Sequence, residues 1–339
     1  MTGGTARRGA EGYEQARTGA AYETDAPRGL IAVEGPDAVS FLHGILTNDI
    51  AGLPDGQVCY AAWLTPQGRM LTDMHVLRAA AGAGLDLEPA YGPDIAKRLD
   101  LSLFNEELTV TDRSSGTHAI TVHGPGALDA AARALEQHGA DASQVRGLGV
   151  LMHTAVALPG DRVLAYTARW LGVPGVRLLS TEPMIAALAN ALDGLGVPAL
   201  SGGAAVALRV EAGMPLFGVD MTTDTIPLEA GIESRAISMS KGCYVGQEVI
   251  VRILHRGHGR VARRLVGLIV GGGDPPTAGT AIHAASHDVG AITSAAWSPA
   301  LERSIALGYV HRDAAEAGTL VRIGSAEGPE ATVSQLPLV

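Results

Sequence analysis

Lys241-Gly242-Cys243-Tyr244-Val245-Gly246-Gln247-Glu248 is the stretch on which the reading of this chain turns. Gly242 and Gly246 permit close backbone approach or a positive φ. From Gln247 onward, Val249, Ile250 and Ile253 recur at helical spacing, which predicts a helix over residues 247–254. Cys243 then stands shortly before a helix N-terminus and two residues from Lys241, and both features favour a thiolate. The expectation is a functional thiol: a nucleophile, a redox group or a ligand to a soft metal centre. An inert buried cysteine is the competing expectation. Cys59 lies in an apolar strand-like run and takes the inert reading.

The surroundings of this stretch are cationic. Residues 241–264 hold Lys241, Arg252, Arg256, Arg260, Arg263 and Arg264 against the single acid Glu248. A polyglutamate tail, a phosphate backbone or an acidic partner would answer such a run, and so would plain solvation of a helix face. The whole chain carries a net charge of −10, which disfavours a broad nucleic-acid surface. Aromatics are only 4%, so stacking platforms for single strands are scarce. No DNA binding and no direct tRNA contact is predicted.

At 339 residues the chain exceeds what one core usually organises, and its 47% apolar and 18% charged content describes a globule. No apolar run reaches the roughly 18 residues of a membrane span, and no signal-peptide core follows Arg7 and Arg8. Glu11, Glu14, Glu23 and Asp25 argue against an organellar presequence. The expectation is a cytoplasmic protein with no membrane contact, whose residues 1–28 form a flexible arm. The two cysteines, Cys59 and Cys243, have no CxxC or Cys/His spacing around them, so neither a disulfide framework nor a structural metal site is expected.

Residues 30–33 read as a strand, followed by Gly35-Pro36-Asp37-Ala38 and a helix carrying Leu42 and Ile45. The pattern returns at residues 118–122, then Gly124-Pro125-Gly126-Ala127 and a helix carrying Leu128 and Leu135. This echo predicts two related α+β units within one larger domain. Residues 58–64 and 70–77 read as a hairpin around Thr65-Pro66-Gln67-Gly68. Beyond about Arg264, short β-type runs separated by Gly, Pro and Ser predict a small antiparallel barrel. The boundaries drawn are an arm at 1–28, a main domain at 29–264 and a barrel at 265–339.

Two further places carry chemistry. Arg209-Val210-Glu211 ends a run read as a strand, which sets Arg209 and Glu211 on one face. Such a pair offers donors and acceptors to a heterocycle, and equally makes a structural salt bridge. Asp73, on the far arm of the hairpin, is a candidate general acid/base. His43, His75, His283 and His311 show no metal spacing and read as ordinary polar positions.

With Arg252 and Arg256-Gly257 downstream, the stretch Lys241 to Glu248 resembles the KGCYxGQE…R…RG signature of the YgfZ folate-binding proteins. These are relatives of the glycine-cleavage T-protein and of mitochondrial iron–sulfur assembly factors. Gly35-Pro36-Asp37-Ala38, Thr47-Asn48-Asp49, Gly68-Arg69 with Asp73, and Pro227 to Gly231 follow in the same order. The resemblance implies an α+β fold of related subdomains around a central folate channel, with a C-terminal antiparallel β-barrel. It also implies a signature of Lys241, Gly242, Gly246, Gln247 and Glu248 around the functional thiol of Cys243. Folate contacts would come from Arg209, Glu211 and Tyr244, with Arg252 and Arg256 for a glutamate tail. The T-protein carries two adjacent acids where this chain has Thr72-Asp73, which weighs against aminomethyl transfer.

Two functions follow from the resemblance. The first is a folate-binding accessory protein that uses Cys243 in assembly or repair of [4Fe–4S] enzymes, tRNA-modifying ones included. Its partners would be iron–sulfur carrier or client proteins, because one cysteine supplies one of the four ligands a shared, transient cluster needs. The second is a tetrahydrofolate-dependent aminomethyltransferase or other one-carbon transferase in which Asp73 carries protons.

Overall fold

The computed structural model describes residues 10–25, 27–255, 259–285 and 287–339. Two five-stranded antiparallel sheets and one closed barrel organise them. In the first sheet the order is Val58–Leu64, Met70–Ala79, Gly82–Leu87, Gly29–Glu34, Thr109–Asp112. In the second it is His153–Leu158, Asp161–Ala168, Gly175–Ser180, His118–His123, Ala21–Asp25. Each sheet is thus a three-strand meander laid beside the strand that opens its unit, with one outer strand beyond. The echo heard in the sequence is a repeated topology.

The two Gly-Pro turns show why the repeat has a sequence signature. Gly35 has φ +143°, and a Cβ there would meet the Glu107 carbonyl oxygen at 2.4 Å. Gly124 has φ +114°, and a Cβ there would meet the Gly19 carbonyl oxygen at 2.4 Å. In both units the turn passes against the backbone leading to the outer strand, an approach only glycine permits. The helices that follow, Ala38–Ile45 and Ala127–Glu136, cover the outward face of their sheets. Gly92–Leu101 and Glu182–Gly194 complete those two layers. The inward faces meet each other through Val58, Leu77, Ala119, Tyr166 and Leu179.

The barrel comprises Arg263–Val270, Ala281–Ala284, His287–Ser298, Arg303–His311, Leu320–Ile323 and Glu330–Ser334. Every β-type run expected beyond Arg264 falls within one of these strands, and the first strand begins at Arg263.

Two expectations are corrected. Residues 10–25 are not a loose arm: Tyr13–Thr18 is a helix and Ala21–Asp25 is a sheet strand. They are ordered because Tyr13 is buried and its hydroxyl donates to both Glu211 carboxylate oxygens, at 2.9 and 2.7 Å. Arg209 and Glu211 are not on a strand either. They close the helix Gly202–Glu211, whose cap is Ser201, accepting from the Ala204 amide at 3.2 Å. Ala204, Ala207 and Leu208 form its buried stripe, packed with Tyr13 and Leu171. The signal for that helix was Ser201 ahead of this stripe, masked by two glycines and two β-branched valines.

Candidate functional site

Between the inward faces of the sheets lies a cavity of about 720 Å³. Pockets for small organic ligands run about 300–1,000 Å³. Rows of cross-strand neighbours stand on its two sides, and Tyr60, His75, Asp86 and Arg177 of these rows line it. Tyr60, His75 and Asp86 sit side by side on three strands of the first sheet. Opposite them, Tyr166, Arg177 and Thr121 do the same on the second. Asp86 joins the two rows: it accepts from Arg177 Nη1 at 3.1 Å, from Arg28 Nε at 2.9 Å and from the Tyr166 hydroxyl. Burial alone would raise the Asp86 pKa, but Arg28 and Arg177 outweigh it and hold the carboxyl at about 2.

Asp73 is in the opposite electrostatic condition. Burial raises its pKa to about 6, opposed by a hydrogen bond from the Tyr60 hydroxyl at 2.5 Å and by the Arg235 charge. Asp73 is half-buried, and it is one of the residues that line the cavity. Thr72, one residue earlier, is fully buried and does not line the cavity. His75 is no ordinary polar position. Burial pushes its pKa down to about 3, so the ring is neutral at physiological pH. Its centroid lies 5.4 Å from Tyr60, 5.7 Å from Tyr166 and 5.6 Å from Trp170. The indole Nε1 of Trp170 is buried with no hydrogen-bond partner among the described residues. Aromatic walls, one donor without an acceptor and a partly protonated carboxyl suit a flat heterocycle bearing polar edges.

The sequence-predicted residues divide. Asp73 and Arg209 line the cavity. Arg209, however, spends its guanidinium on the Asp220 carboxylate, on Ser294 Oγ at 2.6 Å and on the Met214 carbonyl at 2.9 Å. Glu211 does not line it; its carboxylate faces Tyr13 and Ser298 at the barrel. Tyr244 is buried in the core with Leu64, Met70 and Phe217, away from the cavity lining. Arg252 is exposed on the helix Gln247–His255 and lines no wall; Arg256 lies outside the described residues. Cys243 is exposed and also outside the cavity. Cys59 is buried against it, its thiol pushed up to about 12 by burial. No group of three metal-ligating side chains occurs among the described residues.

What the signature does in the fold is hold the Asp73 hairpin at both ends. Lys241 is buried, and its ammonium donates to the carbonyls of His43, of Leu46 at 2.6 Å and of Asn48 at 3.1 Å. Asn48 in turn donates to the Tyr60 carbonyl at 2.8 Å and the Arg235 carbonyl at 3.1 Å. At the other end Gly246 has φ +83°, and a Cβ there would meet the Thr65 carbonyl oxygen at 2.5 Å. The turn of the hairpin and the signature are thereby in direct contact. Gly242 has open space around it and needs no such freedom. Gln247 opens the helix with its amide on the Tyr244 carbonyl, and Glu248 is exposed.

Residues 11–241 match the GCVT N-terminal domain, and residues 263–339 match the Glycine cleavage T-protein C-terminal barrel domain. An aminomethyltransferase of Cutibacterium acnes is 30% identical over 321 residues, covering 91% of this chain and 84% of that one. An aminomethyltransferase of Shouchella clausii is 29% identical over 299 residues, 87% of this chain and 79% of that one. The crystal structure of glycine cleavage system aminomethyltransferase T from Bartonella henselae superposes with a TM-score of 0.83 at 25% identity. That likeness covers 97% of this chain and 88% of the other. No described helix is long and apolar enough to cross a membrane.

Proposed function

The chain belongs to the glycine cleavage T-protein family, and from that premise we propose that it binds a reduced folate between its two sheets and transfers a one-carbon unit. Asp73 carries the protons. The observation that carries this reading is the Asp73 carboxyl itself: bonded to Tyr60, raised to about 6 and open to a cavity of about 720 Å³ with aromatic walls. A folate nitrogen loses a proton as it bonds to the one-carbon unit, and the departing amine needs one. A carboxyl near pKa 6 takes the first and returns the second close to neutral pH. His75 remains neutral and, with Tyr60 and Trp170, offers the ring surface on which a pterin would lie.

This reverses the order of the two functions drawn from the sequence. The relatives matched over most of the chain are aminomethyltransferases, and nothing in those matches points to the YgfZ group or to iron–sulfur assembly. The second acid missing at Thr72 weighs less than expected, because that side chain does not reach the cavity. The test is calorimetric titration with tetrahydrofolate followed by a turnover assay for the one-carbon folate. Saturable binding with turnover lost in Asp73→Asn supports the reading. Absence of binding at millimolar ligand overturns it.

The accessory reading keeps one observation in its favour: the Cys243 thiol is exposed on the outside of the protein, within reach of a partner. A single exposed thiol does not hold a cluster unaided, so a carrier or client protein would supply the remaining ligands. Loss of iron–sulfur enzyme activity in a deletion strain, restored by the wild-type chain and not by Cys243→Ser, would bring that reading forward.

A further inference from the structure

Five arginines line the cavity: Arg28, Arg169, Arg177, Arg209 and Arg235. A guanidinium presents five N–H donors in a planar fork. Arg28 and Arg177 place theirs on Asp86, and Arg209 on Asp220. Arg169 donates to the Gly172 carbonyl at 3.2 Å. Arg235 is different: among the described residues no oxygen accepts from its side chain, and its one hydrogen bond is to Met214 Sδ at 3.2 Å. Its Cζ lies 5.3 Å from the ring centroid of Tyr60, the residue whose hydroxyl is bonded to Asp73. Its charge acts on Asp73, Tyr60 and His75 together. A helix held by Asn48 fixes this arginine at the reacting end of the cavity, with its fork uncommitted.

We propose that Arg235 is the carboxylate-binding residue of this cavity, receiving a carboxylate of the ligand beside Asp73. An uncommitted guanidinium next to aromatic surface is matched best by a planar anion that accepts two parallel hydrogen bonds. Two sources supply that chemistry: a small amino-carboxylate co-substrate, or the glutamyl tail of the folate. The position beside Asp73 favours the co-substrate. The inference rests on the one-carbon reading above, and the experiment separates the two.

The experiment titrates the full chain and its Arg235→Gln and Arg235→Lys variants with four probes. These are tetrahydrofolate; 6-methyltetrahydropterin, which has no carboxylate; glycine; and glycinamide. The side chain is exposed, so thermal melts of both variants should match the wild type. The expected result is that Arg235→Gln weakens glycine about tenfold or more, while 6-methyltetrahydropterin and glycinamide bind as they do to the wild type. Arg235→Lys restores part of the loss, because it keeps the charge and loses the fork. A selective loss of tetrahydrofolate instead assigns the carboxylate to the glutamyl tail and also supports the role of Arg235. Unchanged affinity for both carboxylates overturns it. So does equal weakening of the pterin that lacks one, or a wild-type chain that binds neither carboxylate. Should the wild type bind glycine but neither pterin, the folate reading fails while the assignment of Arg235 stands on the glycine arm.

Discussion

Tyr60 donates its hydroxyl hydrogen to Oδ2 of Asp73 at 2.5 Å, from the neighbouring strand of the same sheet. Burial raises the Asp73 pKa, and this bond pulls it back by stabilising the carboxylate. Tyr60→Phe removes the pull and leaves His75, Arg235 and Arg28 as they were. The acid limb of the kcat/KM profile, set near pH 6 by Asp73, should therefore move to higher pH while the pH-independent maximum falls less. An acid limb that stays in place would mean that Asp73 is not the titrating group.

The same raised pKa has a consequence for stability. In the unfolded chain Asp73 titrates near 3.8, and in the fold near 6. The unfolded state therefore binds fewer protons than the fold between those values, and stability falls as pH rises through about 6. Asp73→Asn is free of that cost. At pH 7–8 the variant should be more stable than wild type by about 2–3 kcal/mol, and the gain should vanish below about pH 4. Denaturant midpoints at both pH values measure this. A variant less stable at pH 8 would contradict the buried, charged carboxylate.

Asp86 runs the other way. Its pKa is held down to about 2 against an unfolded value of 3.8, so its stabilising contribution is complete above 3.8 and lost as pH falls toward 2. Asp86→Asn leaves Arg28 and Arg177 without their carboxylate between the sheets. The expected cost is about 2–3 kcal/mol at neutral pH, the weight of that depression, with wild type and variant converging near pH 2. A cost below about 1 kcal/mol would mean that the two arginines find other partners.

How far the sequence reaches can be read from these residues. The barrel strands and the Asp73 hairpin were legible because alternation and turn composition are local signals. The two-unit repeat was legible because glycine is required twice by the same close approach. His75, Asp86, Arg177 and Trp170 were not. Asp86 and Arg177 are separated by 91 positions and meet only because two sheets face each other. Arg235 was hidden for a different reason: its significance is that no oxygen among the described residues accepts from its side chain, which no spacing encodes. The signature pointed toward the site by an indirect route, since Lys241 and Gly246 hold the hairpin whereas Cys243 faces outward.

Tyr13 stands within the stretch expected to be an arm, and its replacement tests that correction. Tyr13→Phe keeps the buried ring and removes a hydrogen bond to the Glu211 carboxylate, which retains Ser298. A bond to a charged acceptor is worth about 1.5–3 kcal/mol, and the variant should lose that much with ligand affinity unchanged, because neither residue lines the cavity. A neutral substitution would return these residues to the status of an arm.

Cys243 and Asp73 divide the two functional readings, and one pair of variants decides between them. Iodoacetamide reacts with the thiolate, so accessibility and acidity both govern its rate. Cys59 is buried with its thiol pushed up to about 12, whereas Cys243 is exposed. Labelling at neutral pH should therefore fall on Cys243 first, whichever function holds. Serine at position 243 alters no wall of the cavity, so folding and tetrahydrofolate affinity should match the wild type. If the chain is a one-carbon transferase, Cys243→Ser keeps its turnover and Asp73→Asn loses it by about 10²-fold or more, the usual weight of a positioned proton carrier. The opposite pattern, turnover or cellular function lost with Cys243→Ser and kept with Asp73→Asn, would move the working centre out of the cavity and onto the exposed thiol.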